Sequence, residues 1–152
     1  MMTMSKDGQF VGETERIELS PFANGVWRTI ITDGAALVIE DDVGAIECDK
    51  SQFRELLSNL LRNAVTHGGP TVTVRIGRLV DREGIYIEDD GPGVEAEIRD
   101  SIFEHGYSTR EGGTGYGLAI VDRIADAHDW DVRVTESSTG GARFELIGVS
   151  IS

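Results

Sequence analysis

Between Asp49 and Pro70 the apolar residues Phe53, Leu56, Leu57, Leu60, Leu61 and Ala64 recur at three- and four-residue intervals, which lines them along one stripe of an α-helix. A helix that is apolar on one side only has to cover that side with a second layer. Asp49 stands at the N-cap position, Gln52 follows three residues on as the other half of a capping-box variant, and Gly68-Gly69-Pro70 supplies a glycine-then-proline stop. The segments that follow have the pattern of the covering layer. Residues 71–76, Thr-Val-Thr-Val-Arg-Ile, alternate as a strand; Asp81-Arg-Glu-Gly84 turns; and Ile85-Tyr-Ile-Glu88 returns as a hairpin. Residues 131–136 and 142–147 make a second hairpin around Ser137-Ser-Thr-Gly-Gly141.

Other elements are expected on either side. Ser20-Pro21 starts a helix whose apolar residues are Phe22, Val26, Trp27, Ile30 and Ile31. Residues 35–40 and 44–48 flank Asp41-Asp42-Val43 and read as a hairpin. A short helix is expected over 96–103, and a third long helix, with Leu118, Val121, Ile124 and Ala125 on its apolar side, runs to about Ala127. Helices grouped against strands that mostly meet through hairpins describe an α+β two-layer sandwich, with three helices covering a mixed, largely antiparallel sheet. The 152 residues suit one domain. Residues 1–15, with little apolar content, read as a flexible lead or cloning remnant, and 16–152 as the domain.

The formal net charge is −13, from 27 Asp and Glu against 14 Lys and Arg, so a phosphate backbone would be repelled and nucleic acid is not an expected partner. A lone cysteine, Cys48, cannot pair within the chain and fits a reduced cytoplasmic setting. No apolar run approaches the roughly 20 residues of a membrane span, so the chain itself is not expected to contact a membrane.

Three segments carry candidate chemistry. Asn59, Asn63 and His67 follow one another at i, i+4 and i+8, a polar stripe on a leucine-rich helix. It is either a solvent-facing stripe or a set of ligands in which the carboxamide oxygen of Asn63 meets Mg²⁺, a hard ion that takes few protein ligands when phosphates supply the rest. Ile87-Glu-Asp-Asp-Gly-Pro-Gly93 ends a strand in carboxylates and a glycine turn. That is either an ordinary acidic turn or an acceptor for the exocyclic amine of a base, with Gly91 and Gly93 letting backbone approach the ring. Glu111-Gly-Gly-Thr-Gly-Tyr-Gly-Leu118 brings glycines to a helix start, where bare N–H groups can receive an anion. Its spacing is neither the dinucleotide fingerprint nor a P-loop.

Taken in order, N-L-L-R-N-A-V-T-H (59–67), D-D-G-P-G (89–93), I-F-E-H-G-Y-S-T (102–109) and G-T-G-Y-G-L (113–118) resemble the N, G1, F and G2 boxes of the ATP-binding catalytic domain of sensor histidine kinases, in the GHKL superfamily with its Bergerat fold. The resemblance covers nearly the whole chain. The acidic composition and the wording of H-G-G-P-T-V-T-V and G-G-A-R-F-E look like haloarchaeal members.

The resemblance implies ATP and Mg²⁺ as ligands. Asn63 would hold the ion and Asn59 face the triphosphate, with Thr66 and His67 near the phosphates. Asp89 would receive the adenine amine, and Gly91 and Gly93 shape the purine pocket. Gly113, Thr114, Gly115, Gly117 and Leu118 would offer the phosphate loop, and residues 103–113 a lid in which Arg110 either meets a phosphate or stays solvated. Hydrolysing relatives carry a glutamate where this chain has Asn59, and a carboxamide takes no proton at neutral pH, so intrinsic hydrolysis is expected to be feeble. No residue beyond those positioning the nucleotide is expected to be catalytic. The acceptor histidine would lie on a dimerisation/phosphoacceptor domain, upstream or in trans, with a response regulator downstream, in a parent sensor that is membrane-anchored or cytoplasmic. A stand-alone serine kinase of the anti-sigma type and a nucleotide-binding scaffold without turnover are the competing readings.

Charge spread along the chain rather than gathered in one tail has the pattern of a salt-adapted surface. Molar salt screens such repulsion, so the denaturation midpoint is expected to rise from low to molar salt; a midpoint indifferent to salt would remove this reading.

Overall fold

The computed structural model describes residues 3–4, 10–30, 34–40, 43–69, 71–91, 118–137 and 140–151. In chain order these residues form β1 (Thr3–Met4), β2 (Phe10–Val11), β3 (Glu15–Glu18), α1 (Leu19–Trp27), β4 (Ala36–Ile39), β5 (Ala45–Cys48), α2 (Lys50–Gly68), β6 (Thr73–Arg78), β7 (Gly84–Asp89), α3 (Ala119–Ala127), β8 (Asp131–Glu136) and β9 (Ala142–Ile147). The main sheet runs β4-β6-β7-β9-β8; β1 pairs with β2 and β3 with β5. Among the described residues no helix is long and apolar enough to cross a membrane.

The α+β expectation holds: helices cover a five-stranded sheet in which only β4 and β6 are parallel. The two hairpins expected from local pattern, β6–β7 and β8–β9, both form. The hairpin expected over 35–48 does not. β4 pairs instead with β6, across the crossover that contains α2, and β5 pairs antiparallel with β3. Parallel strands need a long connection, usually a helix, and no local turn pattern reports that partner. The first helix begins at Leu19 and ends at Trp27, so Pro21 is its third residue and Ile30 lies beyond it. The helix expected over 96–103 falls outside the described residues.

Cross-strand register builds the core. Ile39, Ile76, Ile87, Phe144 and Val134 are successive partners across all five strands, and the last four are buried. The leucine side of α2 packs onto this layer: Phe53, Leu56, Leu57, Leu60, Leu61 and Ala64 are all buried. Each such side chain contributes roughly 1.5–3 kcal/mol of burial. The opposite face of the sheet is polar, with Arg143 donating to Glu88 at 2.9 Å and to Glu145 at 2.8 Å, and its guanidinium 4.1 Å from the Tyr86 ring centre.

Both ends of α2 are pinned. At the start, Asp49 Oδ1 accepts from Gln52 N and Oδ2 from Gly12 N, while the Asp49 backbone N–H donates to His128 Nε2 at 3.1 Å. The Asp49 half of the expected capping box is therefore present, and an imidazole from the end of α3 takes the Asp49 backbone N–H. His128 Nδ1 lies 2.9 Å from the Ile124 carbonyl and the ring stacks on Trp130 at 4.2 Å. With Nε2 accepting, Nδ1 must carry the proton, so the ring is held neutral. Beside it, burial pushes the Cys48 thiol up to about 12, which keeps it protonated and poorly nucleophilic. At the far end of α2, Gly68 lies against Gly91. A Cβ built on Gly91 would fall 2.9 Å from the Gly68 carbonyl oxygen and closer still to its Cα. Gly91 does not have positive φ, so the requirement is for space, not for a left-handed backbone.

Two outcomes follow from these contacts. Burial lowers the His128 pKa below its ordinary 6.5, so the unfolded chain binds the extra proton first. His128 then contributes stability that is full above that ordinary value and is lost as pH falls toward its folded one. The wild type should lose stability over that acid range relative to His128→Ala, whose own loss at neutral pH, roughly 1–2 kcal/mol for an orphaned N–H, is nearly independent of pH; parallel denaturation profiles for the two would refute this. Gly91→Ala should cost roughly 1–3 kcal/mol, the range for overpacking, because backbone on both sides has to separate; an unchanged urea midpoint would show that the contact yields freely.

Candidate functional site

Alternation along β7 decides which acidic residue faces inward. Ile85, Ile87 and Asp89 share the helix-facing side, while Tyr86 and Glu88 face the polar side, as period-2 geometry requires. Asp89 thus occupies a core register position opposite buried Val74 and is itself only 8% exposed. Burying a carboxylate among apolar neighbours is costly unless hydrogen bonds hold it. Here Oδ1 accepts from Gly91 N at 2.9 Å and from Ala142 N at 3.2 Å. Burial raises the Asp89 pKa, those two N–H groups lower it, and the neighbouring carboxylates of Asp90 and Glu88 raise it again, for a net upward shift. Both of these bonds fall on Oδ1, which leaves the capacity of Oδ2 for an incoming donor.

The adjacent Asp90 is used differently. It is exposed, and its Oδ1 accepts from Thr73 N at 2.8 Å, tying the turn to the start of β6. The ordinary acidic-turn reading is correct for Asp90 and insufficient for Asp89.

On α2, Asn59, Asn63 and His67 are half-buried, whereas Arg54, Glu55, Arg62 and Thr66 are exposed. The asparagine stripe therefore runs along the margin of the buried face, not along the open face of the helix. Asn59 Nδ2 donates to the Glu55 carbonyl at 2.9 Å, and Asn63 Nδ2 donates to the Asn59 carbonyl at 2.9 Å. Each carboxamide spends a donor on the helix backbone one turn back, and its oxygen keeps the capacity to accept or to ligate. Among the described residues no three His, Cys, Asp or Glu side chains gather as a metal centre. The hard donor on this stripe is a carboxamide oxygen, suited to an ion that receives its other ligands from water and phosphate.

The third segment is described only from Leu118. Leu118 is buried at 1% exposure and precedes α3 without a side-chain cap, and α2 and α3 pack against each other. Gly93, Arg110, Gly113, Thr114, Gly115 and Gly117 lie outside the described residues. Of the expected site, the structure brings together the end of α2 and the Asp89–Gly91 turn, through the contact of Gly68 with Gly91. That contact adds a reason for Gly91: its missing side chain makes room for the last turn of α2.

Ser137, Gly141 and Ala142 at the β8–β9 turn did not stand out in the sequence, yet they enclose Asp89. Ser137 Oγ donates to the Asp89 carbonyl at 2.9 Å and accepts from Gly141 N at 2.8 Å. A Cβ on Gly141 would sit on the Asp89 carbonyl oxygen and 2.7 Å from its carbonyl carbon. The only trace in the sequence was the Gly140-Gly141 pair, which reads equally well as turn chemistry.

The chain is 41% identical to the sensor histidine kinase CpxA of Escherichia coli (strain K12) over 167 residues, an alignment covering 96% of this chain and 35% of CpxA. It thus spans about a third of that relative. Among solved structures, the ATP binding domain of PrrB from Mycobacterium tuberculosis superposes with a TM-score of 0.69 at 26% identity, covering 93% of this chain and 100% of that one. Full-length ShkA, in complex with AMPPNP, superposes with a TM-score of 0.73 at 25% identity, covering 91% of this chain and 32% of that one. Residues 48–149, from the last residue of β5 past the end of β9, match the family described as "Histidine kinase-, DNA gyrase B-, and HSP90-like ATPase", and the chain belongs to that family.

Proposed function

We propose that this chain binds Mg-ATP and donates the γ-phosphoryl group to a histidine on a separate dimerisation/phosphoacceptor domain, as the catalytic domain of a sensor histidine kinase in two-component signalling. The observation that carries the reading is the Asp89 carboxylate. It is buried in the apolar layer, fixed through one oxygen and left with acceptor capacity on the other, an arrangement suited to the exocyclic amine of adenine. Family membership and the likeness to ShkA, solved with AMPPNP, support the same ligand.

Asn63 would hold Mg²⁺ through its carboxamide oxygen, with Asn59, Thr66 and His67 toward the phosphates. When bound, the ion would neutralise negative charge that builds on the phosphates during transfer. In that transfer the bond between the γ-phosphorus and the β,γ-bridging oxygen breaks as a phosphorus–nitrogen bond to the acceptor imidazole forms, and ADP leaves. The start of α3 favours the anionic tail through its positive end and uncapped N–H groups. Gly93, Arg110, Gly113, Thr114, Gly115 and Gly117 keep the purine, lid and phosphate-loop roles that the motif gives them. Asn59 cannot accept a proton from water at neutral pH, so water is not activated there and the phosphoryl group is kept for a protein acceptor. The acceptor domain, a response regulator downstream and a reduced, cytoplasmic setting complete the proposal.

Titration of wild type and Asn63→Ala with ATP, with and without magnesium, tests the ion ligand. The variant should lose most of the magnesium-dependent gain in affinity, on the order of tenfold for a lost charge-assisted contact, and should fail to phosphorylate a supplied acceptor domain. Equal magnesium dependence in both proteins would remove Asn63 as the ligand.

A further inference from the structure

We propose that the β8–β9 turn positions the base-recognising carboxylate, with Ser137 as its latch, and so sets the preference of this site for adenine over guanine nucleotides. The inference rests on the reading of Asp89 as the acceptor for the adenine amine, and goes beyond it by assigning the group that aims that acceptor.

Ser137 is 5% exposed, too deep for a hydroxyl without partners. It has two about Asp89: it donates to the Asp89 carbonyl and accepts from Gly141 N. The same residue closes the turn through its backbone, Ser137 N donating to the Gly141 carbonyl at 2.7 Å and Gly140 N to the Ser137 carbonyl at 3.0 Å. The next N–H after this closure, that of Ala142, reaches Asp89 Oδ1. Gly141 completes the fit, because any side chain there would occupy the space of the Asp89 backbone. Its φ is not positive, so the glycine is required by the closeness of β7.

Guanine presents a carbonyl where adenine presents its amine. A carboxylate held in one orientation accepts from the amine and repels the carbonyl. One free to turn can move away from the carbonyl and loses that discrimination. Ser137 touches neither base nor phosphate in this account and is a positioning residue. The groups that set the charge of Asp89 are Glu88 and Asp90 on its own strand and turn, Gly91 N beside it, and Ala142 N from β9. Glu88 is in turn paired with Arg143 at 2.9 Å. Loss of the latch would let Ala142 N withdraw, remove a bond that favours the ionised carboxylate, and shift its titration upward.

The test measures ATP and GTP affinity from acid to neutral pH for wild type, Ser137→Ala, Ser137→Thr, Gly141→Ala and Asp89→Asn, with melting temperatures of the nucleotide-free proteins. Ser137→Ala should weaken ATP binding roughly three- to tenfold, the scale of one or two buried hydrogen bonds. It should also narrow the ATP-to-GTP ratio and move the acid midpoint of binding to higher pH, while Ser137→Thr, which keeps the hydroxyl, restores all three. If Ser137→Ala does not fold, Gly141→Ala, crowding Asp89 from the same side, should show the same three changes. A Ser137→Ala protein that melts lower yet keeps the wild-type nucleotide ratio and acid midpoint would overturn the latch. An Asp89→Asn protein that binds ATP as the wild type does would instead overturn the reading of Asp89, and the two failures are distinguishable because each concerns a different variant.

Discussion

A carboxylate in a row of apolar side chains is the constraint on which the rest of this structure turns. Strand alternation along β7 puts Asp89 on the side of Ile85 and Ile87, facing the helices, where an unbonded charge would cost several kcal/mol. The fold accommodates it with backbone N–H groups from two directions, one from its own turn and one from β9. Those donors exist only if β7 ends where it does and the β8–β9 hairpin closes where it does. Local violations of the inside-apolar rule tend to mark functional positions, and this one lies where the last turn of α2 meets the sheet.

Two glycines at that meeting point serve as absences. Gly91 allows a turn to touch the last turn of α2, and Gly141 allows a strand to touch the Asp89 backbone. Neither Gly91 nor Gly141 has a left-handed backbone, so each is there because a methyl group would push two elements apart. The sequence reading of Gly91 as room for a ligand ring followed the right physical rule, that glycine permits close approach. The turn also brings Gly91 against the backbone of Gly68, a neighbour that a sequence alone does not name.

What could be read from the chain was local. The stripe on α2, its Asp49 cap and its glycine stop involve neighbours within a few residues, and the β6–β7 and β8–β9 hairpins are closed by short turns, so pattern and structure agree. The strand over residues 36–39 was legible as a strand, but its parallel partner lies beyond α2, and the local turn between it and β5 was mistaken for a hairpin. The site divides in the same way. Asn59, Asn63 and Asp89 were visible through their motif. The choice of Asp89 over Asp90 as the inward carboxylate is settled physically by register, while Ser137 and Gly141 become neighbours of Asp89 only through the pairing of β7 with β9. Their spacing of roughly fifty residues from it carries no local signature.

Pinning at both ends sets a helix side chain and a strand carboxylate in one fixed frame. α2 is 19 residues long, about 28 Å at the usual rise, and its register is fixed at Asp49 by the His128 ring and at Gly68 by Gly91. Between those points Asn59 and Asn63 have no freedom to slide, and each carboxamide is further turned by a bond to the carbonyl one turn back. The carboxylate is held in the same manner by a hairpin that does not include it. Two polar groups on different layers thus acquire a fixed relation without touching each other, because each is bonded to the same packed sheet-and-helix unit. A ligand that spans them meets an arrangement whose ordering entropy was spent during folding, the condition under which modest contacts yield useful affinity.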